Sequence, residues 1–460
     1  MAQKILIIKL GALGDVIRTL PLAKAIKENF SDSEITWITK ENALELFENN
    51  PYVKRVFTDK NYPKESFNLL YNFDIDNDAT KIALEINAEK KYGFYQENGY
   101  PLAFNTPAEY YLNTIFDDNL KKINKKTYQE MMFDIAELPY CKEIAPIFLN
   151  EKDIKFSERF LEDNQINKKK LIGIHMGASP RWPSKIWDLE NIKEFIKKAK
   201  QRGYEILLFG GPNEIDIHEK FAKELETEGI KVYRNNPQNS LKEFASLVNL
   251  CNQMICSDSF SLHVSLALKK PTICLFFCTP PNEIESYDIL KKIISPKLND
   301  FFPEKMNEYD RDLTKSISAD EVLDALEKNN PVRVVNAIVK HPKENKFLII
   351  KRKEGIHENK WAFPGGIIKE GENHEIAIKR ELKEETGLEL KNIIRKISDY
   401  SYLRPDRKNT IGNSYLVEVK DDNVSINEEI QEYKWVTIEE FEDLDYIEGL
   451  EEEIFNAFYT

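Results

Sequence analysis

Residues Lys379–Gly387 read KRELKEETG, with three carboxylates within five positions. Whether they make a solvated acidic face or a cation site decides what the C-terminal part of the chain is. Residues 374–386 read as a helix stopped by Gly387, a residue that readily takes the left-handed conformation of a helix terminus. Glu381 then lies one turn from both Glu384 and Glu385, so the three acids share a side. Like charges this close raise one another's pKa values, a cost that a hard divalent cation offsets. Lys379 and Lys383 offer the simpler alternative of a surface face neutralised by its own lysines. On the helix alone both readings stand, and the choice falls to the wider stretch Gly366–Leu388, GIIKEGENHEIAIKRELKEETGL.

Outward from this stretch, the composition is that of a globular protein, with 31% charged and 42% hydrophobic residues. The 460 residues suggest about three domains of ~100–200 residues each. A net charge of −13 argues against broad nucleic-acid binding, because a phosphate backbone repels excess carboxylate. The longest apolar run, ICLFFC at Ile273–Cys278, is far short of the ~20 residues of a transmembrane helix, so no transmembrane segment is expected. The run Ile5–Ile8 is broken by Lys9 and Gly11 and reads as a buried strand, not a signal-peptide core. The five cysteines contain no Cys-x-x-Cys pair and read as reduced core thiols of a cytoplasmic protein.

At the N-terminus KILIIKL (Lys4–Leu10), GALGD (Gly11–Asp15), VIRTLPLAKAIKENF (Val16–Phe30) and EITWIT (Glu34–Thr39) read as strand, tight loop, helix and strand. The rhythm returns from KLIGIHMGAS (Lys170–Ser179) through YEILLFGG (Tyr204–Gly211) and NQMICSD (Asn252–Asp258) to PTICLFF (Pro271–Phe277). Apolar strands alternating with amphipathic helices predict an α/β fold with doubly wound sheets covered on both faces. Two such sheets are expected, because residues 60–160 lose the alternation and LEDNQINKKK (Leu161–Lys170) reads as a polar connection. After the Asn329-Asn330-Pro331 breaker, VRVVNAIVKHPKENKFLIIKRK (Val332–Lys353) reads as strand, turn and strand, the start of an α+β domain near Pro331. The expected domains are therefore 1–165, 166–330 and 331–460.

The stretch Gly366–Leu388 matches every fixed position of the Nudix box, so the last domain resembles a Nudix hydrolase, a mixed sheet sandwiched by helices. That resemblance implies hydrolysis of a nucleoside diphosphate linked to another moiety, with Mg²⁺ (or Mn²⁺) as cofactor. Nucleoside diphosphate sugars such as ADP-ribose lead as substrates, with oxidised nucleoside triphosphates second. Carried to matching positions, Glu381, Glu384 and Glu385 become metal ligands, one of them also a candidate base for water. Gly365 would lend its carbonyl to the metal, Arg380 would orient the carboxylates and Glu372 would tie the loop to the helix. A further acid would come from Glu428, Glu429 or Glu432, which otherwise read as an exposed strand start.

The front of the chain resembles the heptosyltransferases, glycosyltransferase family nine. The resemblance runs from KLGALGDVIRTLPLAKAIKENFSDSEITWIT through IGIHMGAS, PSKIWDLENIKEF, LLFGGPNE and ICSDSFSLHVSLALKKP, across residues 1–330. It implies the GT-B architecture, a pair of Rossmann-like domains carrying acceptor (1–165) and nucleotide sugar (166–330), and inverting transfer from an ADP-heptose-like donor without a cofactor. The acceptor would be a saccharide or lipid-linked, the setting lipopolysaccharide biosynthesis, and the location cytoplasmic or peripheral at the inner membrane. Asp15 matches the family's general base; its alternative is a cap for a helix from Val16. Lys185 would neutralise the leaving diphosphate, against the alternative of a surface lysine. Glu214 would bind the nucleotide's ribose, against that of a helix N-terminal acid. Asp258, Ser259 and His263 lie in the segment expected to bind substrate, although His175 and His263 also read as core histidines. Two departures stand out, because Phe260 and Phe277 occupy positions where the family usually has glycine. Phenylalanine there penalises positive φ and close backbone approach, which predicts an altered donor site. Two functions follow: a bifunctional transferase and hydrolase, or a Nudix pyrophosphohydrolase carrying a non-catalytic transferase-like module.

Overall fold

The computed structural model describes residues 2–328, 332–355, 357–369, 372–404 and 409–459. The breaker at Asn329-Asn330-Pro331, where the third domain is expected to begin, lies outside them. The chain divides into two compact units, Met1–Glu327 and Lys328–Thr460. No helix among the described residues is long and apolar enough to cross a membrane.

The first unit holds two six-stranded sheets. Strands β1 (Gln3–Ile8), β2 (Ser33–Thr39), β3 (Arg55–Thr58), β4 (Phe67–Asn72), β5 (Ala88–Glu97) and β6 (Tyr100–Ala103) take the order 3-2-1-4-5-6. All neighbours are parallel except β5 and β6. Strands β7 (Leu171–His175), β8 (Glu205–Phe209), β9 (Tyr233–Arg234), β10 (Gln253–Ser257), β11 (Thr272–Phe276) and β12 (Leu290–Ile294) form a parallel sheet in the order 12-11-10-7-8-9. These are the doubly wound sheets that the apolar strands call for: Ile5–Ile8 is buried on both faces, as a strand between two helix layers must be. Strand order reverses beside β1 and β4 in the first sheet and beside β7 and β10 in the second. Ligands of such sheets sit beyond the carboxyl ends of strands at those reversals. One apolar core runs from Ile5 and Trp37 through Phe133 to Phe209, Phe244 and Met254, joining the two sheets.

The irregular stretch 60–160 contributes β4 and β5 to the parallel sheet. Its lost rhythm comes from three consecutive helices, Thr106–Phe116, Asp118–Ile123 and Tyr128–Ala136, with no strand between them. Leu161–Lys170 is not a connection throughout, because the helix Glu151–Asn164 takes its first four residues. That helix starts at a capping box between Asn150 and Asp153 and packs Phe156, Phe160 and Leu161 on the core, a spacing hidden among its charges. All five cysteines are free, but only four are buried; Cys141 is exposed and is not a core thiol.

The second unit is a seven-stranded mixed sheet of β13 (Val332–Lys340), β14 (Phe347–Arg352), β15 (Trp361–Ala362), β16 (Gly365–Ile367), β17 (Leu390–Leu403), β18 (Asn409–Val419) and β19 (Ile430–Val436). One face packs Ala377, Ile378 and Leu382 of the His374–Thr386 helix; the other packs Leu450, Ile454 and Ala457 of the C-terminal helix Leu450–Tyr459. The His374–Thr386 helix is capped by the Asn373 side chain and ends at Gly387, with φ of 70°.

Within the first unit, helix Leu13–Thr19 lies against helix Phe260–Ala267, and Gly14 makes the approach possible. A Cβ on Gly14 would stand 2.6 Å from His263 Cδ2. Gly14→Ala gains up to ~1 kcal/mol of helix propensity, yet overpacking of this kind costs about 1–3 kcal/mol. We expect a net loss, read as a lowered guanidinium midpoint. An unchanged or raised midpoint would mean that the two helices part without cost.

Candidate active sites

At the strand-order reversal of the first sheet two charged pairs form, Lys9 with Asp74 and Arg18 with Asp15. Asp74, after β4, accepts from Leu10 N–H at 3.0 Å and from Gly11 N–H, and sits 3.4 Å from Lys9 Nζ. Lys9 also donates to the Phe73 carbonyl at 3.0 Å. Burial, the largest single effect, works against its charge, but Asp74 together with Tyr128, Asp15 and Tyr111 holds Lys9 protonated. Asp15 does not cap a helix: the helix begins at Leu13 with Ala12 at its N-cap, and the Asp15 carboxylate takes the Arg18 guanidinium instead. Burial opposes ionisation of Asp15, yet Arg18 and Lys9 prevail and its carboxyl lies below the ordinary value. The Asp15 side chain is 33% exposed, so it stays within reach of solvent. Arg18 lies over the Tyr128 ring at 3.8 Å, and its buried Nε has no hydrogen-bond partner among the described residues.

At the reversal of the second sheet, Lys185 is not a surface lysine; its side chain is 8% exposed. It donates to the Asp258 carbonyl and to Asp258 Oδ2, both at 2.9 Å. Burial alone would raise the Asp258 carboxyl, but Lys185 and His263 pull it well below the carboxylate range. His263 Nε2 is 4.0 Å from Asp258 Oδ1, and its ring packs on Gly14, so the structure brings Asp15, Lys185, Asp258 and His263 into one region. Ser259 Oγ is 3.4 Å from His175 Nδ1 and 3.0 Å from Ser261 Oγ. Glu214 takes no part in these ion pairs: its carboxylate accepts from Gly211 N–H at 2.7 Å and packs against Gly177.

The strain expected at the two phenylalanines is absent. Neither Phe260 nor Phe277 sits in the left-handed region. Phe277 is buried in the core on the far side of the second sheet, and Phe260 packs on Phe244 with ring centroids 5.3 Å apart. Their bulk is absorbed by packing.

In the second unit the acids are divided between two arginines. Arg380 pairs with Glu381 and with Glu384 at 3.1 Å, and its other nitrogens donate to Glu372 at 2.6 and 2.8 Å and to the Ile367 carbonyl at 2.9 Å. Glu372 also accepts from Lys369 N–H at 2.8 Å, so it joins the loop to the helix. Glu385, 3% exposed, accepts from Gly365 N–H at 2.8 Å and pairs with Arg352 at 3.0 Å. Burial pushes its carboxyl up to about 7, against the pull of Arg352. Burial also raises Glu381. The acids also raise one another, Glu384 acting on Glu381 and Glu381 on Glu385, but loss of water is the larger effect.

Among the described residues no group of three or more acidic, histidine or cysteine side chains is gathered to hold a cation. The guanidinium groups of Arg380 and Arg352 supply the compensating charge. The donor set still suits Mg²⁺: it is all oxygen, and the carboxylate of Glu381 lies where a Cβ on Gly366 would be, 2.6 Å away. The Gly365 carbonyl accepts from Arg352 at 2.7 Å. Glu428, Glu429 and Glu432 are exposed at the start of β19, with Glu432 at 3.6 Å from Lys434.

Sequence reading misses Lys9, Asp74, Arg18 and Arg352. Arg18 stands three residues after Asp15 on a helix, a spacing that signals a pair. The other partners meet only through the sheets.

Three histidines of the first unit are set by burial. It pushes His175 and His218 down to about 4 and His263 to about 3, below the ~6.5 of an exposed imidazole. The folded unit therefore binds fewer protons than the unfolded chain below pH ~6.5, and stability falls as pH drops through that range toward the folded values. The buried His218 and His263 should each remove up to ~1.4 kcal/mol per pH unit between pH 6.5 and 4. Guanidinium midpoints measured at pH 7, 6 and 5 should decline; a flat series would mean that these imidazoles are not held neutral.

Comparison with known proteins places both units. Residues 115–308 match the model for glycosyltransferase family 9 (heptosyltransferase), a narrower span than the motifs at 1–330, and residues 330–457 match that for the NUDIX domain. Lipopolysaccharide heptosyltransferase 1 of Campylobacter coli is 26% identical over 302 residues, 60% of this chain and 85% of that protein. The crystal structure of the glycosyl transferase family 9 protein from Veillonella parvula superposes with a TM-score of 0.56 at 18% identity, over 71% of this chain and 96% of that one. E. coli ADP-heptose lps heptosyltransferase II gives 0.54 at 16% identity, over 71% and 98%. An ADP-ribose pyrophosphatase of Methanocaldococcus jannaschii is 46% identical over 59 residues, 13% of this chain and 34% of that protein. Residues 115–308 thus carry the glycosyltransferase family 9 (heptosyltransferase) match, in a unit whose fold is that of the GT-B neighbours, and residues 330–457 carry the NUDIX match.

Proposed function

We propose that the chain is bifunctional and cytoplasmic: an inverting glycosyltransferase using an ADP-heptose-like nucleotide sugar, joined to a Mg²⁺-dependent hydrolase of a nucleoside diphosphate linked to another moiety. In this reading residues 1–165 take the acceptor, 166–330 the nucleotide sugar and 331–460 the diphosphate. The observation that carries it is the meeting of Asp15 with Lys185, Asp258 and His263 at the two strand-order reversals. The ADP-heptose named for the E. coli neighbour agrees with this donor class.

Asp15 takes the proton of the acceptor hydroxyl as its oxygen attacks the anomeric carbon and the nucleoside diphosphate leaves from the opposite face. Arg18 keeps Asp15 ionised at neutral pH. Lys185 spends two of its three N–H donors on Asp258 and keeps one for a phosphate oxygen of the leaving group. Asp258 is a positioning residue, holding that ammonium in place.

In the second unit Glu381, Glu384, Glu385 and the Gly365 carbonyl would hold Mg²⁺. When bound, the ion neutralises charge on the diphosphate. Arg380 fixes Glu381 and Glu384 on the helix while Glu372 ties down the loop. Glu385, poised near neutrality, is the acid best placed to take a proton from the attacking water.

The competing reading, a non-catalytic front module, draws on the same pairing, since Asp15 and Lys185 are each already neutralised by a neighbour. Transfer from a panel of nucleotide sugars separates the two. We expect transfer that survives chelation and falls by about 10²–10⁴-fold in Asp15→Ala, with hydrolysis unchanged. No transfer by the unmodified chain would leave the module reading standing. For the second unit, Glu384→Gln should abolish Mg²⁺-dependent release of nucleoside monophosphate, and Glu385→Gln should lower kcat by about 10²–10⁴-fold. Undiminished turnover in Glu384→Gln would remove that residue from the metal site.

A further inference from the structure

Residues 277–289, between β11 and β12, reach from the second sheet of the first unit to the helices beside the first, and they are clamped at two places. Lys292 on β12 donates to the Pro281 and Ile284 carbonyls at 2.7 and 2.5 Å, gripping both ends of the short turn Pro281–Glu283. Further along, Tyr287 Oη accepts from Gln129 Nε2 at 3.1 Å and donates to the Glu143 carbonyl at 3.2 Å. Gln129 follows Tyr128, the residue whose ring carries Arg18. Tyr287 and Asp288 both hold left-handed backbone, with φ of 47° and 56°. Two consecutive non-glycine residues persist there only where the surroundings over-determine them, here through the Tyr287 hydrogen bonds and the burial of Ile284 and Ile289. The segment is a fixed strap, not a loose loop.

The strap presents one side chain that the fold itself does not use. Glu283 is half-buried, and its carboxyl makes no hydrogen bond or ion pair among the described residues. Burial raises that carboxyl above its ordinary value; Arg18 and Lys121 oppose the rise, while Asp258 and Asp15 add to it. Glu283 thus lies within electrostatic reach of both Asp15 and Asp258. A carboxyl that has lost water without gaining a partner is a cost, and a ligand with hydrogen-bond donors removes it. A phosphate brings no such donor and adds negative charge. Hydroxyl groups are donors. Asp15 is the partner of the acceptor's oxygen, and the Lys185–Asp258 pair is the partner of the leaving diphosphate. Between them, the part of the reacting pair still without a polar partner is the sugar in transit.

We propose that Glu283, held by the strap, binds hydroxyl groups of the transferred sugar and so sets which sugar the first unit accepts. This rests on the transferase reading of Asp15 and Lys185, and the test keeps the two apart. The unmodified full chain and its Glu283→Ala and Glu283→Gln variants are titrated at equilibrium with ADP and with ADP-heptose in a chelating buffer, where binding alone is read. The second unit is the same in all three chains and cancels in the comparison. Glu283→Ala should weaken one ADP-heptose site roughly 10- to 100-fold and leave ADP within about twofold, since ADP lacks the transferred sugar. Glu283→Gln, which keeps one acceptor oxygen, should fall between. ADP affinity lost in step with ADP-heptose would mean that Glu283 only supports the strap, and unchanged ADP-heptose binding would mean that it meets no sugar; either result overturns the proposal. Binding of neither ligand by the unmodified chain would remove the nucleotide-sugar reading itself, and the assignment of Glu283 with it.

Discussion

A charge taken out of water must meet an opposite charge, and that constraint shapes both units. In the first, Lys9, Asp74 and Asp258 follow β1, β4 and β10, and Lys185 lies in the turn Pro183–Lys185 beyond β7; Lys9, Asp74 and Lys185 are buried, and the Asp258 side chain is 17% exposed. Removing one partner of such a pair leaves an uncompensated buried charge, a change worth about 3–5 kcal/mol. The loops after the strands are therefore fixed by electrostatics as much as by packing. In the second unit Arg380 and Arg352 do the same for the acids, through five distinct acceptors around Arg380 and the Gly365–Glu385 turn around Arg352.

Much of the architecture can be read from local pattern. Four consecutive buried aliphatic residues at Ile5–Ile8, and their counterparts in β7, β8, β10 and β11, leave no choice but a strand covered on both faces. The His374–Thr386 helix is equally readable, because both its cap and its terminator are encoded at its ends. The charge pairs are not readable in this way. Leu10 and Asp74 stand 64 positions apart, and their bond exists only because β1 and β4 are neighbours in a sheet whose order is not written locally. Arg352 reaches Glu385 through the same kind of long closure.

Where local reading fails, a competing physical effect explains it. Leu161–Asn164 looks like linker because its charges outnumber its apolar residues, yet Phe156, Phe160 and Leu161 fall on one side of a helix. The phenylalanines at 260 and 277 look costly only on the assumption that their backbone is left-handed; in an ordinary conformation a large apolar side chain is an asset. The acids of the second unit look as though they should repel one another, but burial acts on Glu385 more strongly than its neighbours do.

The apolar core shared by the two sheets of the first unit bears on how this half can move. Swinging the sheets apart about a hinge would bring side chains such as Phe209, Phe244 and Met254 into water at ~25 cal/mol for every Å² exposed. Exchanging the partners of Arg18 or Lys185 breaks a few polar contacts and exposes almost none of that surface. Local side-chain exchange is thus the cheaper response to a ligand, and large rigid-body opening the expensive one, in this half of the chain.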